Sequence, residues 1–472
     1  MHNPMIRKIP WVVLASVAIL SLFILPSLFR EGMFLDGVIY ASVARNMASG
    51  EGTFWIPRYT EVVYRTFHEH PPLAFGIQSL FFRAFGDHLW VEKGYSFLVT
   101  VLNLLLVIRL TRAVLKPHLA PVTYLPLLLL AVTPLFSWCM RNNLIENTYS
   151  LFTLLSVLFF VKAKKRPWIW LIASGSMIFL AFLTKGVVTL FPLAVPFISF
   201  IIYRKETSFR QMCVQTGWLF IVFILLVGGM FLFFPDARIL FSKWFENQLL
   251  LSITGGRGVT GRFYILGRLV QELLPSLLLI VTFYCVAGRS KTALPATTEL
   301  RHGMFFLFIA LSATLPLMVS LKQHDYYFVP ALPFYALAFT SFSQRPVERM
   351  ALWFNQKLRF VQLTRYFMLA SIAGILLFSI VTRNTPLRDR DMLHDIKIIG
   401  TVTGSHSYIR VDKPLMFNYG LNAYLQRYYS VTLQYTSPET QWYLCESHGE
   451  VPEGYMPVNC ALKNYILYRK NS

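Results

Sequence analysis

Charge is scarce in this sequence, and its scarcity is the first constraint. Of 472 residues only 14% are Asp, Glu, Lys or Arg, while 55% are hydrophobic and 16% aromatic. A soluble chain of this length normally carries about a quarter charged residues, so an ordinary soluble protein is excluded. Polar interruptions are missing over repeated windows close to the ~20 residues a helix needs to cross a bilayer. The apolar runs are continuous and lack a period of two, which excludes a transmembrane barrel and leaves helices to satisfy the backbone in lipid. The expected spans are 11–29, 94–108, 119–138, 148–161, 168–184, 187–203, 214–234, 269–287, 303–320, 327–343 and 366–382, about 11 in all. Ser27-Leu-Phe-Arg30 lacks a small-residue cleavage pattern, so 11–29 reads as an uncleaved first span.

Acidic residues are scarcer than basic ones, 23 against 44, giving a net charge of +21. An excess of that size raises the question of nucleic acid, and its placement answers it. With the N-terminus inside, the inner loops hold 20 basic residues, from Arg7 and Lys8 to Arg365, against only Glu206, Glu299 and Glu348. The outer segment 30–93 holds six basic and seven acidic residues. This is the positive-inside pattern; the charge orients helices and implies no nucleic-acid partner.

Internal repeats and low-complexity segments are absent, and there are five cysteines. Cys139, Cys213 and Cys285 fall in or beside apolar runs, where packing is the ordinary role. Cys445 and Cys460 lie in a polar, Tyr-rich tail on the outer side, where a disulfide could persist but spacing does not decide it.

Two regions follow: a membrane domain over 1–383 and a tail over 384–472. Short alternating stretches at 407–411 and 465–468 predict a small α/β fold for the tail. The outer loops 30–93 and 235–268 are long, and long loops in a compact protein are usually functional. Within the first, Val38, Ile39, Val43 and Met47 fall at helical spacing opposite Arg45 and Asn46. Residues 73–85, after Pro71-Pro72, are apolar but too short to span and predict an interfacial helix. That loop is expected to lie on the membrane surface as a roof. The fold class expected is thus an all-α polytopic membrane protein with interfacial helices in its first outer loop, plus a small C-terminal α/β domain.

Asp36 precedes the helical run of that loop, and alone it reads as a helix cap rather than a reactive carboxylate. Its surroundings add information. Asp36-Gly-Val-Ile-Tyr-Ala-Ser-Val-Ala-Arg-Asn-Met47, followed by Phe67-His-Glu-His-Pro-Pro-Leu73, resembles the first outer loop of the GT-C membrane glycosyltransferases. The branch is that of bacterial relatives of protein O-mannosyltransferases and aminoarabinose–lipid A transferases. The resemblance continues at Arg141-Asn-Asn-Leu-Ile-Glu-Asn147, Thr184-Lys-Gly186 and Ser320-Leu-Lys-Gln-His-Asp-Tyr-Tyr-Phe-Val-Pro330, and weakens over the tail. There are departures. Gly37 stands where protein O-mannosyltransferases carry a second acid, His70 where many relatives have Lys, and Glu146 where Asp is common.

The resemblance implies a bacterial inner-membrane enzyme, cytoplasmic at its N-terminus and periplasmic at its tail. It would transfer a sugar from a polyprenyl phosphate such as undecaprenyl phosphate to a lipid or glycan acceptor at the periplasmic face. Such a reaction needs a carboxylate to take the acceptor's proton and cations aimed at the departing phosphate. Asp36 is the candidate base. Glu69 and Glu146 would orient the acceptor or, with Asp36, help hold a divalent cation. Lys322, Arg257, Arg262, His70 and Lys185 are candidate donor-phosphate contacts, and Tyr40, His324, Tyr326 and Tyr327 would line the substrate. Alternatives stay open at this point. Lys185 could snorkel to the interface, the glycine-rich stretch around Arg257 and Arg262 could be a surface loop, and the tyrosines could form an aromatic belt. At the level of the whole protein, the alternatives are a transporter or flippase of lipid-linked sugars and a protein acceptor of the O-mannosyltransferase type.

Overall fold

The computed structural model describes residues 10–163, 167–250, 261–288, 294–435, 440–446 and 451–471. The chain opens with α1 (Trp11–Phe29) and continues through α2 (Leu35–Ser49), α3 (Leu73–Phe85), α4 (Val91–Leu110), α5 (Ala120–Ala131) and α6 (Pro134–Arg141). Next come α7 (Ile145–Lys162), α8 (Pro167–Lys185), α9 (Val195–Ile202), α10 (Phe209–Phe233), α11 (Pro235–Trp244), α12 (Tyr264–Ala287) and α13 (Thr297–Thr314). Helices α14 (Leu332–Phe342), α15 (Gln344–Gln356) and α16 (Leu358–Val381) complete the membrane region. Among the described residues seven helices are long and apolar enough to cross a membrane, or eight if α5 and α6, bent by 74°, count as one broken span.

The count of about eleven spans is therefore corrected, and proline is the main reason. The run 187–203 is not one helix: 3-10 turns at Gly186–Thr189 and Phe191–Ala194 precede a short α9. Pro192 and Pro196 each lack the N–H an interior helical turn requires, and Gly186 takes φ +76°, a left-handed conformation. The run 327–343 likewise begins as a 3-10 turn, Asp325–Ala331, containing Pro330, before α14 starts. Helix α7 has the length of a span but carries Glu146, Asn147 and Thr148 in its first turn.

Pro134 also explains the bend at α5 and α6, since it starts a new helix immediately after Thr133. Helix α6 ends at Arg141, and Asn143 adopts φ +52° to turn the chain into α7. This elbow receives α2. The Phe34 N–H donates to Asn142 Oδ1 at 2.8 Å, and Asn143 Nδ2 donates to the Gly37 carbonyl at 3.1 Å. The approach is close enough that a Cβ on residue 37 would fall 1.9 Å from the Asn142 carbonyl oxygen.

The first loop contains the two predicted helices, and α3 spans the expected 73–85. Arg45 and Asn46 are not on a solvent face, however. Both are buried, Arg45 against the tail and Asn46 against the carbonyls of Arg58 and Tyr59.

The tail forms α17 (Arg390–Thr403), β1 (Tyr408–Val411), α18 (Lys413–Met416), α19 (Tyr419–Tyr429), β2 (Thr432–Gln434), β3 (Trp442–Glu446), β4 (Tyr455–Pro457) and β5 (Tyr465–Lys470). The sheet order is β2-β1-β3-β5-β4; β1 is parallel to β2 and β3, and β5 is antiparallel to β3 and β4. Leu393, Ile396, Ile409, Leu421, Leu425 and Leu444 form its core together with Met33 and Val38, which flank Asp36 in sequence. Cys445 is buried on β3, Cys460 is partly buried, and both are free thiols.

Replacing Gly37 by Ala should force α2 away from the elbow. An overpacked contact of this kind costs about 1–3 kcal/mol, so the unfolding midpoint in detergent should fall by several degrees. An unchanged midpoint would mean the elbow yields freely.

Candidate active site

Helix α2 starts at Leu35 with no side-chain cap, so the Asp36 carboxylate is not spent on capping. It accepts a hydrogen bond of 2.9 Å from the Tyr326 hydroxyl instead. Tyr326 belongs to the 3-10 turn that proline imposed on 325–331. Its ring stacks on His324 with centroids 5.2 Å apart and on Trp138 at 6.1 Å. Burial and the adjacent Asp36 charge raise the Tyr326 pKa, so the hydroxyl stays protonated and can donate. The turn itself is anchored by Asp325, which accepts from Arg268 at 2.8 Å and from the Tyr264 hydroxyl at 3.0 Å.

Behind this pair lies a buried ion pair between Lys185 and Glu146. Both side chains are almost fully enclosed, and a charge so placed is tolerated only with a partner. The Lys185 ammonium also lies 4.4 Å from the Tyr327 ring centroid and 5.5 Å from that of Tyr326, within cation–π range. The Tyr149 hydroxyl holds the Tyr327 carbonyl at 3.2 Å. Tyr40 and His70 are hydrogen-bonded at 2.9 Å through the hydroxyl and Nε2. Burial lowers the His70 pKa well below its usual value, and the nearby Lys185 and Lys322 charges push in the same direction. His70 is therefore a neutral imidazole. Lys322 reaches Gln248 Oε1 at 2.8 Å.

Two cavities meet at residues 326–327. The larger, about 810 Å³, has a polar end made by Glu69, His70, Lys185, Gln248 and Lys322. Its long wall is apolar, from Val187, Leu190, Phe191 and Leu193 on one side and Leu311 and Leu315 on the other. The smaller, about 490 Å³, is lined by Trp138, Arg141, Arg268, Glu272, His324 and Tyr326 among others. Tyr327 lines the first and Tyr326 the second, while Asp36, bonded to Tyr326, lines neither.

The structure thus brings Asp36, Glu69, His70, Tyr40, Glu146, Lys185, Lys322, His324, Tyr326 and Tyr327 into one region. Glu146 sits behind Lys185 and lines neither cavity. Arg262 is exposed and contributes its carbonyl to Gln323 at 3.0 Å, and Arg257 lies outside the described residues. Among the described residues no three His, Cys, Asp or Glu side chains gather as a metal-holding group, so Asp36, Glu69 and Glu146 do not form one. Gln248, Trp138, Arg268 and Glu272 were missed from sequence. They come from distant elements, and only the length of loop 235–268 hinted at Gln248 and Arg268.

The depressed His70 pKa has a sign that can be checked. An unfolded histidine takes up a proton as pH falls through about 6.5, while the folded one resists until lower pH. The stability it contributes is complete above that value and is lost as pH falls toward the folded pKa. Thermal stability in detergent should drop between pH 7.5 and pH 5, and His70→Gln should make that drop shallower. An identical slope in the variant would remove His70 as its source.

Residues 69–230 match the family model of the dolichyl-phosphate-mannose-protein mannosyltransferases. No curated protein sequence matches the chain. Among solved structures, ArnT from Cupriavidus metallidurans bound to undecaprenyl phosphate aligns over 97% of both chains at 14% identity with a TM-score of 0.65. Its apo state aligns over the same shares at 14% identity, with a TM-score of 0.61. The archaeal oligosaccharyltransferase AglB from Archaeoglobus fulgidus, in complex with an inhibitory peptide and a dolichol-phosphate, aligns at 12% identity with a TM-score of 0.50. It covers 92% of this chain and 69% of its own. The shared fold over nearly the whole chain, with the family match over residues 69–230, bears out the resemblance to the GT-C membrane glycosyltransferases.

Proposed function

We propose that this protein transfers a sugar from a polyprenyl-phosphate donor to a lipid or glycan acceptor at the outer face of a bacterial inner membrane. The observation that carries the reading is the Asp36–Tyr326 hydrogen bond next to Tyr327, which lines a largely apolar groove together with Lys185 and Lys322. A prenyl chain has the shape and polarity of that groove, and its phosphate would meet Lys322 and Lys185. Undecaprenyl phosphate bound to ArnT and dolichol-phosphate bound to AglB are ligands of the same chemistry on the same fold. The positive-inside charge pattern supports the orientation.

In the reaction the acceptor hydroxyl, in the smaller cavity, gives its proton to Asp36 as its oxygen attacks the anomeric carbon. The bond from that carbon to the phosphate oxygen breaks, and its electron pair passes to the phosphate. Direct displacement inverts the anomeric centre. Lys322 and Lys185 oppose the charge that grows on the leaving phosphate. Tyr326 fixes the carboxylate, and neutral His70 offers a hydrogen bond in place of a third cation. Position 37 bears on the acceptor. The contact with Asn142 leaves no room for the second acid of protein O-mannosyltransferases, which favours a lipid or glycan over protein.

Asp36→Asn keeps the side-chain size and removes the base. Glycosylation in membranes supplied with a prenyl-phosphate sugar should fall at least a hundredfold, the lower end of general-base effects of about 10²–10⁴. Normal turnover would dismiss Asp36 from this role. Lys322→Ala should raise the apparent KM for donor with a smaller change in kcat, and an unchanged KM would remove it from the phosphate site.

A further inference from the structure

The C-terminal domain has no part in either cavity, yet its helix α19 touches the helix that bears Asp36 at both ends. At the start, the buried Tyr424 hydroxyl accepts from the Met33 N–H at 3.0 Å and lies 2.9 Å from the Met33 carbonyl and from Asp389 Oδ2. In the last turns, the buried Arg45 guanidinium donates to the carbonyls of Gln426 and Arg427, at 2.9 and 3.2 Å. Both carbonyls belong to the C-terminal turn of α19, which carries partial negative charge, and that of Gln426 also accepts from the Ser430 N–H at 3.0 Å. Arg427 then ties α19 to the first turn of α4. It reaches Glu92 Oε2 at 2.9 Å, Asp87 Oδ1 at 2.7 Å and the His88 carbonyl at 3.1 Å, with its side chain only 2% exposed. Its guanidinium also lies 5.0 Å from the Phe82 ring centroid on α3.

The apolar contacts follow the same plan. Met33 and Val38, three residues before and two after Asp36, are buried in the core of the tail with Leu393, Ile396, Leu421 and Leu425. Gly37 faces the opposite way, onto the elbow at Asn142. Asp36 is thus bracketed by side chains that belong to another domain's core.

We propose that the C-terminal domain is the positioning device for the reactive carboxylate: α19 clamps α2 through Tyr424, Arg45 and Arg427 and so sets the reach of Asp36 toward Tyr326 and the acceptor. The inference rests on Asp36 acting as the base. Tyr424, Arg45 and Arg427 touch no cavity lining, so they act on α2 and leave the donor groove alone.

The test uses the full chain in membranes with two variants. Arg427→Gln strips the partner from a buried Glu92 and can fail to fold, so Tyr424→Phe, which deletes one hydroxyl, is run beside it. Each folded variant should lose tenfold or more in kcat, while the donor KM and the affinity for undecaprenyl phosphate alone stay within twofold. In a double-mutant cycle, Tyr424→Phe should add little to Asp36→Asn but should combine multiplicatively with Lys322→Ala, a split that general destabilisation would not produce. Wild-type kcat in Tyr424→Phe, or equal losses in kcat and donor affinity, would overturn the clamp while Asp36→Asn stayed inactive. An active Asp36→Asn would instead overturn the reading of the site itself.

Discussion

A charge buried in an apolar bundle survives only beside its opposite or beside a donor aimed at it, and several charged groups in and around this site obey that condition. Lys185 has Glu146, Arg427 has Glu92, and Arg268 has Asp325 and Glu272. Asp36 has a neutral partner, the Tyr326 hydroxyl. The difference matters chemically. A carboxylate tied to a lysine would be a poor proton acceptor, whereas one held by a tyrosine whose own pKa is raised is oriented by a neutral donor. Lys185, fixed by Glu146 and flanked by two tyrosine rings, stays near the groove without neutralising Asp36.

Broken helices make this arrangement compatible with a membrane. A continuous span over 187–203 would fill the space that the larger cavity occupies. Two 3-10 turns ending in a short helix open it and line it with Val187, Leu190 and Phe191. The elbow at Thr133–Pro134 turns the Arg141–Asn143 segment back toward α2. Irregular backbone at this depth is tolerated where it is buried in protein or lines a cavity, and these segments do so.

Much of this was legible in the chain and some was not, for reasons that differ by residue. Helix α3 could be bounded because Pro71-Pro72 and Gly86 bracket a run too short to span. Strands β1 and β5 showed as alternation, and Asp36 stood out by the ordered set of motifs around it. The breaks near 186–196 and 325–333 were hidden because a hydropathy average sees their leucines and valines and not the N–H groups that proline lacks. Helical periodicity places Arg45 and Asn46 opposite the apolar face and says nothing of what covers them; the carbonyl that Arg45 bonds lies 381 residues further along the chain. The pairing of Glu146 with Lys185 crosses two helices in the same way. Sequence spacing names the charges but does not say which opposes which.

The remaining question is why the helix that bears Asp36 should be held by the C-terminal region. A spanning helix is fixed along the bilayer normal by its own apolar length, but α2, at 15 residues and with Arg45 and Asn46 in its last turns, has no such anchor. Its position must come from neighbours. The elbow supplies one side through Asn142 and Asn143, and a contact on one side leaves a helix free to rock about it. The tail supplies the other side, at both ends of α2, with Met33 and Val38 as the apolar fit and Arg45 as the polar lock. Held between the two, the carboxylate can be precise within hydrogen-bond reach, and under the proposed function the apolar cavity, which no residue of α2 lines, is left to admit a long flexible chain.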